Sequence, residues 1–567
     1  MNIYWCLLIK EKDNLLVSLK ISKFVEVNNT GKKGINHKTK EKKKKLVRKT
    51  IKILDSNQLI PGKLRNLAKE FNCKELKGHF PYKFININNL EYKGDLPPYE
   101  YFSDSMGLDG YNNWKSSLKF KEIICYDIKE EAINYLKHDL YALLEVISKY
   151  SNFIFKNYGI NITKINTLSG LALKIYLSSF YKHKNKFKLI KGKIESDIRK
   201  AYFGGLVLTK AYYTHKNKAY VYDVNSHYPN AMLEDIPVGN PVLSLSKDLN
   251  SYFGFVYAEI IPPKNLDFYF IPMRDDSGKI ITPNYRFKGI YFSELLKESI
   301  YYGYKINVLW GYKFDRGKDV FKNYVDEMYN GRLKAKLDKN NSLQFIYKLL
   351  LNSLYGRFGM KDIENRLKIL SKEEAEKFMT KKNIVFYSEL HDKIILRYNN
   401  NVNKEIIKFT DLTEKTNTFV DKIKQRGVTS SIPIAAATTS WALIKLLKFL
   451  NMNDNKLIYC DTDSITLEKP LDDKYVSSTE LGKFKLEFII NEGIYISPKF
   501  YGLKSDNGET IVKTKGIAKG KFNYQDLEKL IKGENLSATT TIFKKNLVKG
   551  TVNIIEQNYT IEGKKEK

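Results

Sequence analysis

The sequence predicts a mixed α/β (α+β) chain made of several domains, on the strength of three observations. The chain has 567 residues, which is more than a single hydrophobic core usually serves. Short apolar runs around a polar turn, as at Lys456–Leu467, have the pattern of a β-hairpin. Segments such as Asp127–Tyr150 and Ser342–Phe358 instead carry apolar residues at helical spacing, so strands and helices alternate along the chain.

The charge of the chain indicates a polyanionic partner. Lys and Arg number 96 against 63 Asp and Glu, which gives a formal net charge of +33. An excess of this size, spread along the sequence, is typical of proteins that bind nucleic acid. The 40 Tyr and 31 Phe also supply rings on which bases can stack, although most of these rings are expected in the core.

The cysteines and the apolar residues argue against several other classes. The four cysteines form no CxxC pair, so we expect neither a zinc site nor a disulfide framework, and a reducing compartment. No run of about 18 apolar residues occurs, so we expect no membrane span and no membrane partner. No secretory signal is recognisable at the N-terminus.

Two carboxylates lie one residue apart at the tip of the predicted hairpin, Asp461 and Asp463. Aspartates in turns often bond only their own backbone, so the hairpin alone does not define a site. A second predicted strand, Tyr220–Tyr222, also ends at a carboxylate, that of Asp223. Because Mg²⁺ combines a few carboxylates with substrate phosphate oxygens, two such strand ends predict a site for two Mg²⁺ ions. A pair of ions of this kind stabilises the attacking and leaving oxygens in phosphoryl transfer.

Within the segment Ser342–Phe358, a helix with a polar face is predicted over Lys348–Gly356, ending at Gly356. Lys348, Asn352 and Tyr355 recur at i, i+4 and i+7 and therefore share one side of the helix, opposite a row of leucines. An ammonium can meet a triphosphate, and a phenol can pack on a base or a sugar. Taken alone, however, a solvated helix face explains the same pattern equally well.

Two further segments carry weaker signals. In the helix predicted over Asp127–Tyr150, Tyr135 and Asp139 lie one turn apart, where a carboxylate and a phenol can bind a metal and position a water. An ordinary helix surface is the commoner explanation. The glycines of Tyr202-Phe203-Gly204-Gly205 permit close backbone approach next to basic residues, which suits a single-stranded phosphodiester chain, although a tight turn is the alternative.

Together these segments resemble family B DNA polymerases over about residues 120–520. Asp223-x-x-Ser226-x-Tyr228-Pro229 matches the first palm motif of that family. The fingers motif is matched by Lys348-x-x-x-Asn352-Ser353-x-Tyr355-Gly356, and the second palm motif by Tyr459-x-Asp461-Thr462-Asp463-Ser464. Tyr202-Phe203-Gly204-Gly205 and Lys499-Phe500-Tyr501 resemble the linker and primer-binding motifs of the protein-primed branch, which serves linear phage genomes and linear mitochondrial plasmids.

The resemblance implies a right-hand polymerase with palm, fingers and thumb, preceded by a partial RNase H-like exonuclease domain. The implied domains are a partial 3′–5′ exonuclease-like domain at 1–165, a linker at 166–215, palm and fingers at 216–500 with insertions near 240–335 and 362–425, and a thumb at 501–567. Within the last of these, the Lys-rich segment after Lys515 is predicted to be helical.

The resemblance also implies roles for individual residues. The catalytic residues would be Asp223, Asp461 and Asp463, and two Mg²⁺ ions would be held by Asp223, Asp463 and the carbonyl of Val224. Nucleotide binding is implied for Ser226, His227, Tyr228, Lys336, Lys348, Asn352 and Tyr355. Among these, Tyr228 would lie against the deoxyribose and Lys348 would hold the triphosphate. DNA binding is implied for Tyr202, Gly204, Gly205, Gly356, Lys499 and Tyr501.

One departure from the family concerns editing. Tyr135-x-x-x-Asp139 matches the third exonuclease motif, but no acceptable match to the first two carboxylate motifs precedes it. We expect the chain to begin inside the exonuclease domain and to retain Tyr135 and Asp139 as a remnant. Three explanations stay open, namely that the sequence is a fragment, that its true start was missed, or that editing was lost. Because a two-metal exonuclease needs several carboxylates, we expect no robust 3′–5′ editing.

The implied function is that of a DNA-directed DNA polymerase that uses a DNA template and primer, deoxynucleoside triphosphates and, as primer for initiation, a terminal protein. A nuclease of another class would show further acidic clusters, and a non-catalytic nucleic-acid-binding protein would not need Asp223, Asp463 and Lys348. The abundance of Lys, Asn, Ile and Tyr suggests an AT-rich coding sequence. This composition favours a mitochondrial linear plasmid as the source, although a phage or a cytoplasmic plasmid fits the motifs equally well.

Overall fold

The computed structural model divides the chain into two compact units. The first unit comprises Met1–Asp55, Ala172–Tyr329 and Leu351–Lys567, and the second comprises Ser56–Leu171 and Asn330–Leu350. The residues that the structure describes are 5–12, 15–28, 44–74, 79–82, 84–85, 89–103, 106–120, 125–181, 187–188, 190–360, 365–379, 383–390, 393–399, 430–515, 520–546 and 551–565.

An eight-stranded antiparallel sheet forms the middle of the first unit. Its strands lie in the order Thr510–Lys513, Phe500–Ser505, Phe484–Ser497, Ala219–Val224, Ser464–Leu467, Leu457–Asp461 and Val207–Thr209, and Tyr213–His215 also pairs with Phe484–Ser497. We call Ala219–Val224 the central strand, and Leu457–Asp461 with Ser464–Leu467 the aspartate hairpin. Both were predicted from apolar runs, and buried Tyr222 and Ile465 place those runs in the core.

One helix, Ile432–Leu450, supports this sheet, and we call it the core helix. Its alanines Ala435, Ala436 and Ala437 are fully buried, as small residues at a close contact should be. The core helix packs on the short helices His227–Ala231 and Gly192–Lys200. Among the described residues it is also the helix whose length and hydropathy would fit a membrane span, but 67% of that window is buried, as in the core of a folded domain.

The insertion predicted near 240–335 is largely a second antiparallel sheet. Its strands lie in the order Phe287–Phe292, Gly254–Ile261, Lys305–Gly317 and Ile236–Ser244, with the helix Ser293–Tyr301 beside them and a small ribbon of Met273–Arg274 and Ile280–Ile281. Val256 and Ala258 of this sheet share one hydrophobic cluster with Tyr222 and Cys460 of the central sheet. The segment is therefore part of the same core rather than a separate appendage.

A six-stranded sheet corrects the predicted first domain. Its order is Asn383–Leu390, Lys393–Asn399, Asn365–Ser371, Trp5–Lys12, Leu15–Asn28 and Lys44–Ile53. The N-terminal strands thus pair with the second predicted insertion, for example Leu7 with Ile369, and do not group with the rest of residues 1–165. The helix Lys372–Met379 belongs to the same insertion, of which residues 362–364, 380–382, 391–392 and 400–425 lie outside the described residues.

The predicted C-terminal helix is mostly wrong. A helix does form at Tyr524–Ile531, where Asn523 and Asp526 make a reciprocal capping box. The chain then forms a long hairpin of the strands Leu536–Asn546 and Thr551–Ile561. The β-branched run Thr539-Thr540-Thr541-Ile542 favours a strand over a helix, because branching at Cβ restricts the side chain in a helix.

The second unit is mainly helical. Its helices include Leu64–Glu70, Leu108–Phe120 and Ile128–Tyr158, with a short strand pair at Lys93–Gly94 and Tyr126–Asp127. The last of these, which we call the long helix, begins where the Asp127 carboxylate accepts from the N–H groups of Lys129 and Glu130. Parts of the helices Lys322–Leu337 and Asn341–Phe358 also belong to this unit. The helix Leu168–Ile175, continued by a π-helical turn at Tyr176–Phe180, follows in the chain.

Candidate active site

Strand register brings Asp223 and Asp463 side by side. The central strand pairs with the second strand of the aspartate hairpin, so that Asp223 lies opposite Ser464, the residue after Asp463. The Val224 N–H donates to the carbonyl of Asp463 at 2.8 Å, which fixes this register at its end. The two residues therefore stand at neighbouring strand ends, as the sequence predicts.

The turn of the aspartate hairpin has an unusual backbone. Thr462 has φ +65°, a left-handed conformation that costs energy for a residue with a branched Cβ. Its N–H donates to the carbonyl of Leu206 at 2.8 Å, and the Asp463 N–H donates to the carbonyl of Asp461 at 2.7 Å. A Cβ added at Gly205 would run into the Thr462 side chain, whereas one added at Gly204 would meet nothing within 4 Å. The requirement for glycine in this linker thus falls on Gly205.

Lys499 pairs with the first aspartate of the hairpin. Its Nζ lies 2.7 and 2.8 Å from the two carboxylate oxygens of Asp461. The Lys499 N–H donates to the Tyr459 hydroxyl at 3.0 Å, and the Tyr501 ring packs on the Tyr459 ring with centroids 4.9 Å apart. The predicted primer-binding residues Lys499 and Tyr501 are therefore anchored to the strand that carries Asp461.

The electrostatics of the hairpin favour an added cation. Burial, followed by the charge of Asp461, raises the pKa of Asp463, and Lys499 opposes this rise. A half-buried carboxylate whose charged form is disfavoured gains from a nearby positive charge. The carboxylates of Asp223 and Asp463 and the Val224 carbonyl are hard oxygen donors, and such a set fits Mg²⁺. Within the described part of the chain, no group of three or more His, Cys, Asp or Glu side chains converges on one point.

Tyr228 and Tyr355 form a stacked pair. Their ring centroids are 4.2 Å apart and their planes meet at 17°. Burial, with a smaller contribution from Asp463, raises the pKa of Tyr228 to about 12, so that the phenol stays neutral. Ser226, with φ +54°, begins the short helix that carries Tyr228. Asn352 is exposed one turn before Tyr355, and a Cβ at Gly356 would meet nothing within 4 Å.

His227 is not placed as its predicted role requires. Its side chain is only 3% exposed and lies against the core helix rather than at a surface where a nucleotide could bind. Burial, followed by the charge of Lys445, lowers the pKa of His227 to about 4, so the ring is neutral near pH 7. The prediction of nucleotide binding by His227 is therefore replaced by a role in the core.

Lys336 and Lys348 belong to the second unit. Both side chains are exposed, Lys336 near the end of the helix Lys322–Leu337 and Lys348 within the helix Asn341–Phe358. On the latter helix, Leu350, Leu351 and Leu354 are fully buried. The predicted division of this helix into a polar and an apolar face is confirmed.

The exonuclease-like pair lies on the long helix. The Tyr135 ring packs against the rings of Phe80 and Tyr82, with centroids 5.3 and 5.7 Å away. Burial raises the pKa of Tyr135. Asp139 is half-buried one turn further along, so the two residues share a face as predicted, in an aromatic setting that the sequence did not indicate.

Sequence reasoning missed Arg274. Its guanidinium donates to the carbonyl of Tyr202 at 2.8 Å and lies 4.6 Å from the centroid of the Phe203 ring. Cation–π and hydrogen-bond contacts of this kind hold the linker backbone in place. No local signal marks Arg274, because its partners lie about 70 residues earlier in the chain and only folding brings them together.

Comparison with known proteins identifies the family. The sequence model of DNA polymerase type B, organellar and viral, matches residues 13–477, and the chain belongs to this family. A probable DNA polymerase of Agaricus bitorquis is 34% identical over 535 residues, covering 91% of this chain and 66% of that protein. A probable DNA polymerase of Podospora anserina is 32% identical, over 89% of this chain and 43% of its own length. The chain thus spans between about two fifths and two thirds of these curated relatives.

Solved structures support the fold. Phi29 DNA polymerase in an orthorhombic crystal form superposes with a TM-score of 0.62 at 18% identity, covering 98% of this chain and 85% of that one. The chain therefore has the fold of a phi29-type family B polymerase.

Proposed function

We propose that this chain is a DNA-directed DNA polymerase that extends a primer along a DNA template. The observation that carries the proposal is the pairing of Asp223 opposite Ser464, which sets Asp223 and Asp463 at adjacent strand ends. Membership of the family supports it. A structure of phi29 DNA polymerase, which has the same fold, was solved with primer-template DNA and incoming nucleotide substrates.

In this proposal each site residue has a distinct task. Asp223, Asp463 and the Val224 carbonyl would hold two Mg²⁺ ions, and such ions would supply neutralisation of phosphate charge and stabilisation of the attacking and leaving oxygens. Lys499, fixed by its ion pair with Asp461, holds the primer end beside them. The stacked rings of Tyr228 and Tyr355 form a wall that leaves room for a deoxyribose but not for a 2′-hydroxyl.

The test of the polymerase assignment is Asp463→Asn in a primer-extension assay with Mg²⁺. Loss of one carboxylate charge at the reacting phosphate should lower incorporation by about 10²–10³-fold. Primer-template binding in a gel-shift assay should persist, because contacts of basic side chains to the backbone supply most of that affinity.

A matched control is Asp472→Asn, which makes the same change at an exposed aspartate that pairs with Lys474 in the surface turn beyond the hairpin. Near-normal extension by Asp463→Asn would refute the metal assignment. Metal-dependent binding without any extension by the wild-type chain would refute the polymerase assignment and favour a binding protein.

We further propose that initiation is protein-primed. The resemblance of Tyr202–Gly205 and Lys499–Tyr501 to motifs of that branch supports this proposal, as do the two insertions. A hydroxyl of a terminal protein would attack the α-phosphate of the first deoxynucleotide, and pyrophosphate would leave. A mitochondrial linear plasmid is the proposed source, supported by the wealth of Lys, Asn, Ile and Tyr.

Priming is tested by mixing the chain with its terminal protein, template ends, Mg²⁺ and one labelled deoxynucleotide. The expected product is label that moves with the terminal protein on a denaturing gel and that is lost with Asp463→Asn. Extension of oligonucleotide primers alone, even with the cognate partner present, would refute protein priming while leaving the polymerase assignment intact. Recovery of the protein in a mitochondrial fraction would test the proposed source.

A further inference from the structure

The segment Asn330–Leu350 belongs to the second unit, together with Ser56–Leu171 and hence with the long helix. It contains Lys348 and the first half of the helix Asn341–Phe358. Two rings next to Lys348 in the sequence contact rings of that unit. Tyr347 meets Phe153 of the long helix edge to face, with centroids 5.6 Å apart at 85°, and Phe345 meets Phe71 at 6.5 Å and 82°. Edge-to-face pairs of this geometry are favourable beyond the area that they bury.

The two rings that Phe345 and Tyr347 contact, those of Phe71 and Phe153, are held in fixed positions relative to each other. Phe71, 2% exposed, follows the helix Leu64–Glu70, and the Lys149 ammonium of the long helix donates to the carbonyls of Phe71 and Asn72, both at 2.8 Å. Lys149 also pairs with Glu145 at 2.7 Å. Phe71 is therefore clamped to the helix that carries Phe153, and the two rings present a single surface.

The contacts with Phe71 and Phe153 also fix the rotation of the helix Asn341–Phe358 about its axis. A Cβ at Gly331, on the neighbouring helix, would come within 2.5 Å of the Tyr347 ring, so that ring lies between Gly331 and Phe153. Ile346, between the two aromatic residues, is 1% exposed. Turning the helix about its axis would expose Ile346 and break both ring contacts. Such a turn is unfavourable because several apolar side chains would lose their burial.

Lys348 directly follows Tyr347 and is exposed. Because successive side chains leave a helix at fixed angles, the ring contacts of Tyr347 and Phe345 determine the direction in which the Lys348 side chain leaves the helix. We propose that Phe153 and Phe71 are positioning residues for the helix Asn341–Phe358, which carries Lys348 for nucleotide binding, and that the second unit acts as the scaffold for the first half of this helix. This inference rests on the proposed polymerase function.

The test compares two phenylalanines of the long helix in the full-length chain. Phe153→Ala removes the ring that meets Tyr347, while Phe155→Ala removes a ring that is 60% exposed. In single-nucleotide primer extension, Phe153→Ala should raise the KM for the deoxynucleotide about tenfold, with a much smaller change in kcat, because a misdirected cation weakens nucleotide binding. Phe155→Ala should leave both constants unchanged, and Phe153→Tyr, which keeps the ring, should restore the wild-type KM.

A second measurement does not depend on catalysis. Amide hydrogen exchange in the helix Asn341–Phe358 should quicken in Phe153→Ala and not in Phe155→Ala. Equal KM values and equal exchange for the two alanine variants would overturn the inference. A wild-type chain that incorporates no nucleotide would refute the polymerase proposal, and the exchange comparison would still decide the scaffold contact. Phe153→Leu replaces Phe153→Ala if the latter fails to fold.

Discussion

Gly205 lies directly against the side chain of Thr462 at the tip of the aspartate hairpin. The hairpin turn is held in a left-handed conformation at Thr462, and the linker passes it so closely that no side chain fits at position 205. The Thr462 N–H donates a hydrogen bond to the carbonyl of Leu206, the residue after Gly205, so the linker supports the backbone of the turn. A segment predicted to bind DNA therefore also fixes the backbone between two carboxylates.

We predict that Gly205→Ala lowers primer extension by about 10²-fold, since a shift of about 1 Å in a catalytic group can have an effect of that size. The added methyl would displace Thr462 and with it Asp461 and Asp463. Gly204→Ala, one residue earlier, adds the same methyl group where nothing lies within 4 Å and should lose far less. Steady-state extension rates compare the two, and equal losses would contradict the steric explanation.

We predict that Lys499→Met lowers kcat for extension about tenfold, because a primer end that is less well held spends less time aligned for attack. The substitution keeps the length of the side chain but removes the charge paired with Asp461. Lys499→Arg should recover most of the rate, since a guanidinium can pair with the same carboxylate. Pre-steady-state incorporation on a preformed primer-template complex measures the step, and an unchanged rate for Lys499→Met would argue against primer alignment.

We predict that Tyr228→Val relaxes selection against ribonucleotides. Val removes the ring stacked on Tyr355 and opens space where a 2′-hydroxyl would lie. The ratio of kcat/KM for a deoxynucleotide to that for the matching ribonucleotide should fall by about 10²-fold. Tyr228→Phe keeps the ring and should keep the ratio. Unchanged discrimination in the Val variant would mean that Tyr228 serves packing alone.

We predict that His227 makes the fold sensitive to acid. The pKa of His227 is about 4 in the folded chain and 6.5 when the side chain is free, so between these values the unfolded chain binds more protons. Stability is therefore lost as the pH falls through this window, in a pocket where the nearby Lys445 ammonium, paired with Glu234, also disfavours a charged ring.

The measurement is urea unfolding at pH 7 and pH 5. Wild type should lose about 2 kcal/mol more than His227→Leu between the two values. Leu has no proton to gain, and its apolar side chain suits the buried position. Parallel losses in the two proteins would show that other groups control the acid response.

The parts of the fold that depend on local pattern were predictable. Apolar spacing within short windows is enough to predict the aspartate hairpin, the central strand and the helix within Asn341–Phe358. Strand pairing is then needed to show how the motif residues Asp223, Asp463, Tyr228 and Lys499 lie relative to one another.

The remaining features depend on contacts between distant segments. Nothing local to Leu7 indicates Ile369 as its strand partner, and nothing local to Arg274 indicates the linker. His227 stands next to Tyr228 in a motif, yet the short helix turns one side chain into the core and the other towards Tyr355. Burial of a single position within one turn is decided by tertiary packing, which periodicity does not encode.

The position of the central strand in the sheet also determines when Asp223 and Asp463 can come together during folding. It lies between Ser464–Leu467 and Phe484–Ser497, and both neighbours follow it in the chain by roughly 240 residues or more, a separation that makes pairing slow. During synthesis, a chain that has emerged only as far as the core helix carries Asp223 on a strand whose two neighbours in the sheet have not yet been made. Asp223 and Asp463 therefore come together late, and a chain cut short before Ser464 carries Asp223 without the strand that pairs with it.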